Sequence, residues 1–249
     1  MFKSSRKKLI AIGCSFTERD IHKPNREFYF PMWPQHLADM LDMDCVNLGN
    51  SGAGNDYILA KTVDATLKEK NIGLVVLMWS EWRRVSFQCH KDFNRWTNIT
   101  DHGAAEEYIE SKKYILEKQN NFHATRTTMR TFIHAEKILS DIPYMFIQGT
   151  RNVFYRKRWY MNHDRSSYIS EILKSPYLDY IENNISDKFI GWPAMIELGG
   201  YCISDILDKK DPSRSKFRIS KTDHHPNAAG HKFMADFLYD KYKEIYNEH

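Results

Sequence analysis

Long apolar runs are missing from this 249-residue chain: the longest, Ile72 to Trp79, is far short of the ~20 residues a membrane-spanning helix needs. Cysteine is scarce as well. The four present, Cys14, Cys45, Cys89 and Cys202, are widely scattered. That excludes a small disulfide scaffold and the Cys-x-x-Cys spacing of redox and zinc sites, and they read as reduced thiols of an intracellular protein. Nor does one charge dominate. The 36 Lys and Arg stand against 32 Asp and Glu, a formal charge of +4 with the two signs interspersed. Nucleic-acid-binding domains gather their basic residues on one face, so no nucleic-acid partner is expected. There is no internal repeat and no low-complexity tract. What is there suffices for one sizeable core: 42% of residues are hydrophobic and 27% charged, the latter close to the ~25% of ordinary soluble domains. Disorder and collagen are excluded by the same arithmetic, and the chain reads as one domain.

Lys7 and Lys8 precede Leu9-Ile10-Ala11-Ile12-Gly13-Cys14, which mimics a lipoprotein signal. The apolar part is too short for the roughly 7–15 residues such a signal has. It reads instead as a buried strand, and the expected location is the cytoplasm, with no membrane partner.

Lys8 to Gly13, Cys45 to Leu48, Ile72 to Trp79 and Pro143 to Gln148 are short apolar runs without alternation, the pattern of strands buried on both faces. Phe217 to Ser220 is a weaker fifth. Helical patterns lie between them: Trp33 to Leu41, Asp56 to Lys70, Thr125 to Leu139 and about Ala228 to Tyr246, the last with Phe233, Met234, Phe237, Leu238, Tyr242 and Ile245 at spacings of three and four. Alternating strand and helix predicts an α/β fold with a parallel sheet covered on both sides. Two stretches, about 83–121 and 151–191, are too long for simple connections. Each follows a strand, and loops at the carboxyl ends of strands build the crevice of an open α/β sheet. Both are therefore expected as insertions over that edge.

Three segments should open on that same edge: Gly13-Cys14-Ser15-Phe16-Thr17, then Asn47 through Asn55, and Asp223-His224-His225-Pro226-Asn227 before the last helix. Together they supply a nucleophile, backbone donors for an oxyanion, and a base with its orienter, the inventory of a serine hydrolase. In type and order these residues resemble the SGNH (GDSL-type) hydrolase superfamily. Gly13-Cys14-Ser15 is similar to that family's Gly-Asp-Ser block, with Cys in place of Asp. Asn47 through Gly52 is similar to the second block, and Asp223, His225 and Pro226 to the last. The resemblance covers the whole chain in outline. It implies a three-layer αβα fold with a five-stranded parallel, flavodoxin-like sheet, here carrying two long insertions. It also implies that Ser15 is the nucleophile, His225 the base, Asp223 its orienter and Gly52 the oxyanion glycine, with no cofactor and no metal.

The chain departs from the family pattern twice. Where the family has Gly-x-Asn-Asp after the third strand, this sequence reads Met78-Trp79-Ser80-Glu81. The third oxyanion donor is then expected from the Ser80 hydroxyl or the Asn55 amide. The Asp-to-His spacing is one residue shorter than the usual Asp-x-x-His. Either Asp223 orients His225 through an altered turn or its partner is His224; the following Pro226 favours His225.

Simpler roles exist for several of these residues. Ser15 is suited to capping a turn, and Asn55 to capping the helix that follows it. Cys14 reads as a small buried residue, and His231 as a surface or turn-packing one. Asp223, His224, His225 and His231 lack the helical i, i+4 spacing of a zinc site. Trp79, Trp82, Arg83 and Arg84 fall beside the expected crevice, and Arg151 opens a basic, aromatic stretch to Tyr160. That stretch suits either an anionic or carbohydrate-bearing ester or an amphipathic lid with a solvated basic face. The function expected is an esterase or carbohydrate deacetylase acting on a small-molecule or glycan acyl ester, with Trp79, Arg83 and Arg151 contacting substrate. The alternatives are an inactive binding or assembly protein on the same fold, or an O-acyltransferase using the same serine.

Overall fold

The computed structural model describes residues 6–18, 30–89, 92–100, 110, 120–152 and 165–246. Its centre is a five-stranded sheet made of β1 (Lys8–Gly13), β2 (Asp44–Asn47), β3 (Ile72–Trp79), β6 (Tyr144–Gln148) and β7 (Phe189–Ile190). They lie in the order β2-β1-β3-β6-β7, every pairing parallel. Leu9, Ile10, Ala11 and Ile12 of β1 are fully buried, as are Leu74, Val76, Leu77, Met78 and Trp79 of β3. A central parallel strand has helices on both faces, so every position must be apolar; this is why these runs show no alternation. The register sets Gly13 of β1 beside Met78 of β3, and Trp79 of β3 beside Gln148 of β6. The carboxyl ends of three strands therefore finish together.

On one face α1 (Trp33–Met40) packs against the C-terminal helix α7 (Ala228–Tyr246); on the other lie α2 (Asn55–Lys68) and α3 (Asn121–Ile138). His231 is 1% exposed, and its Nδ1 accepts from the Trp33 N–H at 3.3 Å. It is thus an interior tie between α7 and the start of α1 rather than a surface residue. At the far end of α7, the Tyr246 hydroxyl lies 2.8 Å from both the N–H and the carbonyl of Tyr144, fixing the helix to β6.

The fifth strand is not Phe217 to Ser220. That segment makes only a single antiparallel bridge, Arg218 with Pro226. The place beside β6 is taken by β7, two residues within the second interruption. This interruption also holds α4 (Arg165–Leu173) and α5 (Leu178–Asn184), so it completes the sheet as well as decorating it. Residues 153–160 of its basic, aromatic stretch lie outside the described residues. The first interruption carries an antiparallel hairpin, β4 (Val85–Cys89) with β5 (Asp92–Ile99).

Candidate active site

The turn after β1 is closed by Thr17 and Glu18, whose N–H groups donate to the Cys14 carbonyl at 2.9 and 3.0 Å. Cys14 is fully buried and Ser15 is 8% exposed, so the serine alone of the two reaches solvent. The turn rests on the loop after β2. Asn47 Nδ2 donates to the Thr17 carbonyl at 2.6 Å, while its Oδ1 accepts from Gly49 N–H at 2.9 Å. A side chain at Gly49 would bring its Cβ within 2.4 Å of Glu18 N, so only glycine allows the two loops to approach this closely. Sequence reasoning did not single out Asn47 and Gly49 as the seat of this turn.

Ser15 and His225, 210 residues apart, meet at this edge: Ser15 Oγ is 2.9 Å from His225 Nε2. On the other side of the ring, Nδ1 is 2.6 Å from Asp223 Oδ1, and the same oxygen accepts the His225 backbone N–H at 3.0 Å. A carboxylate only accepts, so Nδ1 is the donor, and in the neutral ring that tautomer leaves Nε2 to accept from the hydroxyl. The shortened spacing is thus absorbed by a turn in which Asp223 bonds both the main chain and the ring of the residue two positions on. His224 faces elsewhere, with its Nε2 3.0 Å from Arg214 Nη1 and 3.2 Å from the Lys221 carbonyl.

The His225 loop leans on a charged network. Arg218, 3% exposed, donates from Nη1 to the His224 carbonyl at 2.6 Å and from Nη2 to Asp208 Oδ1 at 2.9 Å. Asp208, on α6 (Ile203–Lys210), also accepts from Arg214 at 2.7 Å and Arg151 at 2.9 Å. Burial works to raise its pKa, but the hydrogen bonds from Arg218 and Arg214 outweigh it and hold the carboxyl below its ordinary value. The Arg218 guanidinium lies 5.7 Å from the Phe16 ring centre, and Phe16 meets His225 edge-on at 5.8 Å. Asn227 closes the loop, accepting from Gly230 N–H at 3.0 Å as the cap of α7.

The loop after β2 forms a second bank beside the Ser15 turn, with the Asn50 N–H donating to the Gly13 carbonyl at 3.0 Å. Gly52 has φ +73°, the left-handed region that favours glycine. Among the described residues, the backbone N–H groups of Ser15 and Gly52 donate to no protein acceptor. Free donors at such a turn suit an anion.

Other expected site residues lie elsewhere. Trp79 is fully buried, its ring 4.9 Å from Phe132 and 5.3 Å from Phe146, packed in the layer between the sheet and α3. Ser80 is fully buried too, and its hydroxyl is sealed without a partner among the described residues. Asn55 is occupied by Ser80's main chain: its Oδ1 accepts the Ser80 N–H at 2.8 Å, and its Nδ2 donates to the Ser80 carbonyl at 3.4 Å and to Thr128 at 3.5 Å. Neither is disposed as a third oxyanion donor. Arg151 is paired with Asp205 and Asp208, anchoring α6 rather than awaiting substrate. Arg83 is half-buried in the turn after β3. Its neighbour Arg84 pairs with Glu81 at 2.9 Å; burial opposes its charge, but Glu81 and then Cys14 hold its pKa above the ordinary value.

No protein-family model matches the chain, and no curated protein does. Solved structures do match. One described as a lipolytic protein of the G-D-S-L family from Desulfitobacterium hafniense is similar at 14% identity and a TM-score of 0.51, covering 95% of this chain and 99% of that one. An esterase from Pseudoalteromonas is similar at 12% identity and a TM-score of 0.50, covering 97% and 100%. An alpha/beta hydrolase from the metagenome of Lake Arreo is similar at 13% identity and a TM-score of 0.50, covering 96% of each chain. At these identities the likeness speaks for architecture alone. Taken with the strand order and the helices on both faces, it gives this chain the SGNH (GDSL-type) hydrolase fold.

Proposed function

We propose that this protein is a serine hydrolase that cleaves an ester or O-acyl group on a small molecule or glycan. The observation that carries the reading is the run of contacts from Ser15 Oγ through His225 to Asp223, 2.9 Å on one side of the ring and 2.6 Å on the other. In the proposed reaction Ser15 Oγ attacks the acyl carbonyl as its proton passes to His225 Nε2. Asp223 holds the tautomer and stabilises the imidazolium. The negative oxygen of the tetrahedral intermediate takes the N–H groups of Ser15 and Gly52. Collapse breaks the ester bond, and His225 returns the proton to the departing alcohol. Water then repeats the sequence on the acyl-serine, releasing the acid.

One oxyanion donor is worth about 3 kcal/mol of barrier. With Ser80 sealed and Asn55 occupied, two backbone donors remain, which suits a slow enzyme. The same observation favours the second reading, a binding protein on a hydrolase fold. A fluorophosphonate probe separates them. Under the first reading it labels the native protein, and Ser15→Ala abolishes labelling and lowers ester turnover by at least ~10⁴-fold. Undiminished labelling of Ser15→Ala, or no labelling and no turnover of short acyl esters by the native protein, sinks the hydrolase reading.

A further inference from the structure

We propose that Asn98, on the inserted hairpin, is a positioning residue that aims the Gly52 N–H at the crevice. The inference rests on the role given to Gly52 above. Asn98 stands on β5, outside the sheet that carries the other site loops. Its Nδ2 donates to the Ser51 carbonyl at 2.6 Å and to Asn50 Oδ1 at 2.7 Å. Its Oδ1 accepts from Ser86 Oγ at 2.6 Å. The Ser86 hydroxyl in turn accepts the Gly54 N–H at 2.8 Å, and the Ser86 N–H donates to Asp56 Oδ2 at 2.8 Å. Two facing strands of one hairpin thus fasten residues 50, 51, 54 and 56, on either side of Gly52.

The bond to Ser51 matters most. The Ser51 carbonyl and the Gly52 N–H belong to one peptide unit, which is planar and trans. Fixing the oxygen toward Asn98 therefore fixes the N–H in the opposite direction. Without that bond the unit is soft. Among the described residues, the turn's own main-chain ties are Asn50 N–H to the Gly13 carbonyl and Ala53 N–H to the Asn50 carbonyl, each 3.0 Å, with the Asn50 side chain also reaching Tyr57. A glycine at its centre accepts either sign of φ, so the peptide plane could rotate and carry the donor away. The hairpin is held against this turn independently: the Trp96 ring meets Tyr57 edge-on at 5.1 Å, and the Tyr57 hydroxyl donates to the Leu48 carbonyl at 3.0 Å. A Cβ at Gly52 would lie 3.4 Å from Asn98 Cβ and from Thr100 Cγ2, so the hairpin sits directly over the glycine.

The test compares native protein, Asn98→Ala, Asn98→Asp and Ser86→Ala, with a short acyl ester and a fluorophosphonate. Removing an oxyanion donor outright costs ~10²–10³-fold; a donor left in place but unaimed should cost about 10–100-fold in kcat and in the labelling rate, with KM held within about threefold. Asn98→Asp keeps the acceptor for Ser86 but sets a carboxylate against the Ser51 carbonyl, so it should be no better than Asn98→Ala. Ser86→Ala should lose less, and Ser86→Thr should recover it; this pair decides the matter if the Asn98 variants do not fold. The pH dependence of kcat should keep its shape, because the Ser15–His225–Asp223 contacts are untouched. A folded Asn98→Ala, or a Ser86→Ala, with native kcat and labelling rate overturns the inference while labelling through Ser15 still stands. If the native protein neither turns over ester nor labels at Ser15, the underlying reading falls first and this one with it.

Discussion

The two banks of the crevice are built by different physics. The His225 bank is held by charge: Arg218, Arg214 and Arg151 converge on Asp208, and the His224 carbonyl hangs from Arg218. The Gly52 bank is held mainly by amides and hydroxyls, Asn98, Ser86 and Asn50, with Asp56 as its carboxylate. A network of full charges in a low-dielectric site is strong when complete and costly when one member is lost. A lattice of neutral bonds, each worth about 1 kcal/mol net, has its value in direction rather than strength. The first bank therefore carries stability together with geometry, and the second mostly geometry.

Three measurements would break or sharpen that contrast. The largest effect is expected from Asp223→Ala. Its side chain is 44% exposed, so solvent screens the carboxylate; the loss in kcat should be roughly 10³-fold, short of the ~10⁴ seen when a sealed orienting acid is replaced. A loss under tenfold would mean that the turn alone orients His225. Next comes Arg218→Met, which leaves Asp208 Oδ1 without its donor, though Arg214 and Arg151 still hold Oδ2, and frees the His224 carbonyl. Breaking a buried pair costs about 3–5 kcal/mol, and at 2–4 °C per kcal/mol for a chain of this size the thermal midpoint should fall by about 10 °C, with turnover falling too. An unchanged midpoint would show the charged bank to be no stronger than the neutral one. The smallest effect is acid sensitivity. Asp208 has its pKa depressed in the fold. Its contribution is thus fully present above the ordinary carboxylate value of about 4 and is lost as the pH falls through the lower folded value. Native protein and Asp208→Asn should differ most in thermal midpoint near neutrality and converge in acid; a gap that stays constant would refute the assignment.

Four strands, the last helix and the neighbourhood of Ser15 and His225 were legible because each rests on a local signal: an apolar run, a three-four spacing, a serine or Asp/His pair at a strand end. The choice of His225 over His224 was readable from the following Pro226. The fifth strand was not, since Phe189–Ile190 is too short to show any period, whereas Phe217 to Ser220 has strand-like composition but is used as a loop ahead of the histidine. Trp79 was misplaced for a reason of geometry. It is still within β3, where side chains alternate between faces, and proximity to the strand end says nothing about which face it takes. Ser80 and Asn55 hold each other, a pairing across 25 residues that no spacing rule reveals. A trace of the hairpin did exist, in the alternation Val85-Ser86-Phe87-Gln88, but Asn98's contact with Ser51 is purely tertiary.

One carboxylate oxygen, Asp223 Oδ1, receives both the main-chain N–H and the ring of His225. Histidine and partner are consequently chelated into a single small ring of atoms. Only His224 stands between them in the chain, so a main-chain hinge has little length in which to part them. Any excursion of this loop removes proton acceptor and counter-charge in one movement and returns them in one.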